Sequence, residues 1–265
     1  MAVEMKQLLK KCNDLYKDLS CCHGNGRLCN CSDCLKDGFY GGQDTYSCLK
    51  KLAYYTLNFG PIYASEIYHF LMETKLLNKY NNSSINILSL GAGFGPDLYG
   101  IMRYKNDNNL NINIFFTGID KEPLWEDIRI NNKHFETKDI LTDDFTLNNY
   151  DFIFINKLFT TLRSIGKDNI FFNILTEQIN NSMSENSYLI FNDINSINKG
   201  RDDLYKRMNP LFKNLGIYYF PVNGAYSGWN FKKIRNTSNI FTIPENLKIS
   251  PKDTVNQSVF FVFKK

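Results

Sequence analysis

Three glycines, Gly91, Gly93 and Gly95, follow directly on the apolar run 85–90, and Pro96-Asp97 comes next. This order of residue types suits a nucleotide-like ligand. Glycine lets the chain turn sharply and come close to a ligand, and proline fits the first turn of a helix. A helix start presents unpaired N–H groups to polar ligand atoms. The spacing is Gly-x-Gly-x-Gly, with the third glycine four positions after the first. In the dinucleotide fingerprint it comes five after.

Cysteines offer a second chemistry. Cys21, Cys22, Cys29, Cys31 and Cys34 crowd one glycine-broken segment, with Cys48 a little beyond. The Cys31-x-x-Cys34 spacing lets two thiolates share one ion, and structural zinc takes four such ligands in a tetrahedron. The set expected is Cys22, Cys31, Cys34 and Cys48, with Cys21, Cys29 and His23 as substitutes. An iron–sulfur cluster and metal-free cysteines in a loop are the alternatives. Four protein ligands leave no open position, so such a metal would shape a substrate-facing lobe and supply folding free energy rather than do chemistry.

Elements able to position these residues alternate beyond Ser83. Strand-like runs at 85–90, 112–119, 134–138, 151–155, 188–191 and 258–263 are interleaved with helical spacings such as Ile170, Phe171, Ile174, Leu175 and Ile179. Alternation of this kind predicts a parallel sheet covered by helices. The second run ends at Asp120, the third at Asp139-Ile140, the fourth at Asn156-Lys157, and the fifth at Asn192-Asp193. Upstream, an amphipathic helix is predicted from Met5 to Leu19, with Cys12 on its apolar stripe. Phe59-Gly60-Pro61 reads as a chain break, with Pro61 opening a new helix whose apolar face is Tyr63, Ile67, Phe70 and Leu71. His69 and His134 read as structural.

The order of these parts over residues 80–265 resembles the class I S-adenosylmethionine (SAM)-dependent methyltransferases. The resemblance implies an α/β fold: a seven-stranded, mostly parallel Rossmann-like sheet, preceded by an N-terminal helical, Cys-rich lobe. The domain division would be 1–80 and 81–265. The sheet would end in an antiparallel hairpin whose second arm is 217–220 or 239–243. SAM would lie over Gly91, Ala92, Gly93 and Gly95, with Asp120 accepting both ribose hydroxyls. Asp139 would meet the adenine amino group and Ile140 would pack on the ring. Tyr63 either folds over the methionine end or belongs to the core. After the fourth strand the chain reads Asn156-Lys157-Leu158-Phe159. It departs from the Asp/Asn-Pro-Pro-Tyr/Phe of amino-methylating nucleic-acid enzymes and from the Pro-Cys of cytosine-C5 enzymes. Asn156 is left to orient an acceptor or to cap the next helix, and Asp193 to serve as a base or as a plain loop carboxylate.

Composition sets the outer bounds. The chain has 265 residues, 43% of them hydrophobic, enough for one large domain or a domain with an appendage. A net charge of +4 permits a polyanionic partner without demanding one. No apolar run approaches the ~20 residues of a membrane span, and the charged N-terminus lacks a secretory core. A reducing cytoplasm is therefore expected, with the seven cysteines as thiols or metal ligands. The acceptor is expected to be a macromolecule, nucleic acid before protein. Tyr226-Ser227-Gly228-Trp229 with Lys232, Lys233 and Arg235 mixes the rings and cations that grip single strands; a solvated hairpin is the alternative. A partner subunit is also possible. Two other functions compete: a methyltransferase-like binding module without turnover, and a nicotinamide oxidoreductase, which the glycine spacing and the late first strand disfavour.

Overall fold

The structure, a computed structural model, describes residues 4–20, 30–40, 46–220, 231–255 and 258–265, with backbone alone at 38–40. Three helices come first: α1 (Met5–Asp18), α2 (Cys31–Tyr40) and α3 (Leu49–Thr74). Then follow β1 (Ser83–Leu90), α4 (Pro96–Asp107), β2 (Ile112–Asp120), α5 (Trp125–Ile128), β3 (Phe135–Thr137) and β4 (Phe152–Asn156). The chain continues through α6 (Phe159–Ser164), α7 (Asp168–Asn181), β5 (Tyr188–Ile194), α8 (Arg201–Met208), β6 (Lys213–Tyr219), β7 (Phe231–Lys233) and β8 (Ser258–Lys264).

The eight strands form one sheet in the order β3-β2-β1-β4-β5-β8-β6-β7. β1 to β5 are parallel, and β8 runs antiparallel between β5 and β6. The hairpin arm is therefore 217–220, not 239–243. The expected seven strands become eight because Phe231-Lys232-Lys233 pairs with β6 at the sheet edge. Three residues, two of them charged, give no strand signal of their own; the pairing comes from the neighbour. Side chains alternate across the sheet. Ile85, Ile87, Phe152 and Phe154 pack with Phe70 and Tyr104 on one face. Leu88, Leu90, Ile153 and Ile155 pack with Phe171, Leu175 and Leu204 on the other. Strand order reverses between β1 and β4, and the crevice outside such strand ends is where open α/β sheets take ligands.

The expected chain break at Phe59-Gly60-Pro61 does not occur: α3 runs through Pro61 without interruption. A proline inside a helix costs about 3 kcal/mol, so packing must offset it. Leu52, Ala53 and Leu57 pack with Leu8, Leu9 and Cys12 of α1, while Ile67, Phe70 and Leu71 lie in the sheet core. The strap 234–255 supplies polar partners. Lys252 N–H donates to the Asn58 carbonyl at 3.0 Å, and Ile240 N–H donates to Ser65 Oγ at 3.1 Å. His69 Nε2 meets the Ser238 carbonyl at 2.7 Å, so His69 is structural, as expected. The second half of α3 thus packs into the core of the sheet. Among the described residues no helix is long and apolar enough to cross a membrane.

Gly100 lets α4 cross α3 at close range. A Cβ there would stand 2.5 Å from the Ala64 carbonyl oxygen and 2.7 Å from Ile67 Cβ. Gly100→Ala is expected to destabilise the fold by about 2 kcal/mol, overpacking outweighing the gain of under 1 kcal/mol in helix propensity. Urea denaturation checks this, and a stabilised variant would show that the helices separate freely.

Candidate active site

The glycine turn is built as its spacing suggested. Gly91, Gly93 and Gly95 have φ of 69°, 52° and 89°, a region open to glycine at no steric cost. Side chains would also collide. A Cβ on Gly91 would lie 2.8 Å from Leu158 Cδ1, and one on Gly95 would lie 2.6 Å from the Phe135 ring. Gly95 N–H closes the turn on the Ala92 carbonyl at 2.8 Å. Asp120 braces it from β2: its Oδ2 accepts from Gly93 N–H at 2.8 Å and its Oδ1 from Glu122 N–H at 3.0 Å. Burial raises the Asp120 carboxyl above its ordinary range, with the two N–H donors and Arg129 opposing.

Gly91, Ala92, Gly93, Asp120, Asp139 and Ile140 all line one crevice, together with Asn156 and Tyr63. Gly95 does not; it lies behind the turn against Phe135. Asp139 Oδ1 accepts from Leu141 N–H at 2.9 Å, which leaves Oδ2 for a ligand. Sequence reasoning missed Tyr46, Tyr55 and Trp125, which line the same crevice and pack ring against ring at 5.6–6.1 Å. Trp125 sits in a one-turn helix without periodicity, so no local signal could have found it.

A second cavity, of about 370 Å³, adjoins the crevice. Tyr46, Tyr55, Tyr63, Lys157 and Thr161 line both. Tyr55, Phe59 and Tyr63 stand four residues apart on α3, so they share one helix face. Phe59 stacks on Tyr63 at 5.5 Å and contacts Tyr55 at 5.4 Å. Desolvation holds the Tyr55 and Tyr63 hydroxyls well above their ordinary pKa.

Behind this junction runs a buried polar chain. Ser89 Oγ and Asn156 Nδ2 both donate to Asp97. Asn192 Nδ2 donates to Asn156 Oδ1 at 2.6 Å and to Glu66 Oε2 at 2.8 Å. Lys157 Nζ pairs with Glu66 Oε2 at 2.8 Å, the two side chains being 10% and 2% exposed. Asn156 therefore caps no helix; one of its amide N–H groups remains for the crevice. Asp193 is held against the start of α6. It accepts from the Thr160 hydroxyl, from Thr160 N–H at 2.9 Å and from Ile194 N–H at 2.6 Å, and so caps α6.

Asp97 is fully buried, and desolvation pushes its carboxyl up to about 6 against hydrogen bonds from Ser89 and Asn156. A raised folded-state pKa means that the folded chain holds this proton more tightly than the unfolded one. The stabilisation is present below about pH 4 and is lost as pH rises through about 6. Asp97→Asn is expected to flatten that slope by up to about 3 kcal/mol. Urea midpoints measured from pH 4.5 to 7.5 check it, and parallel profiles would remove Asp97 as the cause.

The expected zinc site is not found. Cys22, with Cys21, Cys29 and His23, lies outside the described residues, as does Tyr226-Ser227-Gly228-Trp229. Cys31 and Cys34 sit in the first turn of α2, where Cys34 N–H donates to the Asn30 carbonyl at 3.0 Å. Cys48 immediately precedes α3. Among the described residues no group of three or more Cys, His, Asp or Glu side chains could hold a metal.

No family model matches the chain, and no curated protein matches its sequence. Solved structures do match. A Listeria monocytogenes protein assigned to the class I SAM-dependent methyltransferases shares 11% identity and a TM-score of 0.51, over 98% of this chain and 87% of its own. The chain has the class I methyltransferase fold. A Pyrococcus horikoshii protein assigned as an RNA methyltransferase shares 13% identity over 97% of this chain and 96% of its own, with a TM-score of 0.45. A TehB-like SAM-dependent methyltransferase from Corynebacterium glutamicum shares 11% over 88% and 95%, with a TM-score of 0.40. At 11% identity the Listeria likeness speaks for the fold alone. The residues of this crevice fit the methyltransferase cofactor on their own geometry. Gly91 and Gly93 bring bare backbone to the crevice wall, a carboxylate stands at the tip of β2, and Ile140, Leu141 and Leu158 give one wall an apolar surface.

Proposed function

We propose that this chain is a SAM-dependent methyltransferase that turns over, with its acceptor in the second cavity. One observation carries the reading: the crevice at the glycine turn shares Tyr46, Tyr55, Tyr63, Lys157 and Thr161 with an adjoining cavity of about 370 Å³. A binding module needs only the first of these spaces. Asp120 would hold the ribose hydroxyls, and Asp139 and Ile140 the adenine. The cofactor supplies an activated methyl group on a sulfonium, so the protein has chiefly to position the acceptor against it. Asn156, fixed between Asp97 and Asn192, and Tyr63 line that approach. The acceptor is proposed to belong to a macromolecule, nucleic acid before protein. The net charge of +4 and the exposed Lys232, Lys233 and Arg235 favour that order. Calorimetry with SAM and its demethylated product separates cofactor use from a dead pocket. Transfer of a tritiated methyl group to total RNA, DNA and protein identifies the acceptor. SAM binding without transfer to any extract would leave the binding-module reading standing.

A further inference from the structure

The second cavity is walled by rings, yet every carboxylate in it is occupied. Glu66 accepts from Lys157 and Asn192 at 2.8 Å each and from Ser258 Oγ at 2.7 Å. Asp193 accepts from both donors of Thr160 and from Ile194 N–H. The remaining charged groups described at the wall, Lys36, Lys157 and Lys252, are cations. Desolvation keeps the hydroxyls of Tyr55 and Tyr63 protonated. Among the described residues, therefore, each carboxylate of this wall is already held by three donors. Tyr55, Phe59 and Tyr63 meanwhile present one aromatic stripe along α3, and a cavity of about 370 Å³ lies in the lower range of small-molecule pockets. It admits one planar group, not a duplex or a folded surface.

Resting on the methyltransferase reading, we infer that the acceptor is a neutral, flat heteroaromatic ring methylated on a pyridine-type nitrogen, with no proton removed. The nitrogen lone pair forms the new N–C bond as the methyl–sulfur bond breaks, and that bonding pair stays on sulfur. The positive charge passes from sulfonium to ring, so atoms and charge balance without a base. Aromatic faces attract such a cation as it develops, and it would have to displace ammonium groups already there: Lys252 Nζ lies 4.6 Å from the centre of the Phe59 ring and Lys157 Nζ 5.1 Å from that of Tyr63. The ring reaches the site as a free small molecule or as an unpaired nucleobase.

Quinoline and decahydroquinoline, a puckered amine of similar size, test this with the purified full chain. Calorimetry is expected to show quinoline binding at least 10-fold more tightly. Phe59→Leu, which lines this cavity and not the cofactor crevice, should erase that preference and leave SAM affinity unchanged. With tritiated SAM, quinoline should yield a fixed-charge product retained on a cation exchanger at high pH. Its kcat/KM should stay flat between about pH 7.5 and 9, above the titration of Asp97, whose carboxyl holds Asn156 and is pushed up to about 6. A single-stranded 20-mer RNA is the second acceptor: cationic methylated bases in its digest would mark the nucleobase as the source, and their absence beside quinoline turnover the free ring. Transfer confined to phenol, thiol or alkylamine probes, or equal binding of the two ring systems, overturns the inference while cofactor binding stands. Loss of SAM binding itself would bring down the reading beneath it.

Discussion

Replacing Asp120 with alanine is expected to weaken SAM binding about 100-fold without unfolding the chain. The carboxylate would accept two ribose hydroxyls, and hydrogen bonds to a charged partner contribute about 1.5–3 kcal/mol each. Two at the low end make about 3 kcal/mol, and each 1.4 kcal/mol is tenfold in affinity. The loss has a second component, since Asp120 also holds Gly93 N–H at 2.8 Å and its removal loosens the turn. Asp120→Asn retains one acceptor oxygen and should fall between the two. Gly93→Arg attacks the site independently, forcing a side chain onto a residue at φ 52° beside Trp125. Calorimetric affinities with thermal melts check all three variants; if Asp120→Ala and Gly93→Arg both bind SAM like the parent, the cofactor assignment is wrong.

Lys157→Met should cost about 3–5 kcal/mol in stability, the typical penalty when one partner of a buried ion pair is removed and the other is left unpaired. Glu66 is 2% exposed and sits on α3, while Lys157 follows β4 at φ 57°. The pair therefore ties the N-terminal helices to the switch point of the sheet. Methionine keeps the length and the backbone strain of the lysine, so the loss reports the charge. Adding Glu66→Gln to Lys157→Met should recover more than half of it. Urea denaturation of the four members of this cycle gives the coupling directly. A single-variant cost below about 1 kcal/mol, typical of exposed pairs, would show that the pair is solvated.

Much of the site was legible locally. The glycine turn depends on φ values that only its own residues set, and Asp120 is placed by ending a run of strand residues. Asp139 and Ile140 follow from the same rule at the third strand. Asp193 shows the limit. Its position at the tip of β5 was readable, but its role as cap of α6 depends on Thr160, which is distant in sequence. Tyr63 was readable as an aromatic upstream of β1. That Tyr55, Phe59 and Tyr63 form one stripe required an unbroken helix, which Pro61 argued against.

By itself, the amino-acid order determined the elements and their succession: periodicity two or 3.6, glycine at the bend, acids at the strand tips. These are consequences of neighbours along the chain, where steric and hydrogen-bonding preferences act over a few residues. Only the tertiary structure decided that α3 crosses Pro61 intact and that β6 recruits an eighth strand. It alone brought Trp125 to Tyr46 and Tyr55, and Lys157 to Glu66. Each of these rests on contacts between residues far apart in the chain, whose packing energy overrides local preference and leaves no regular spacing to read.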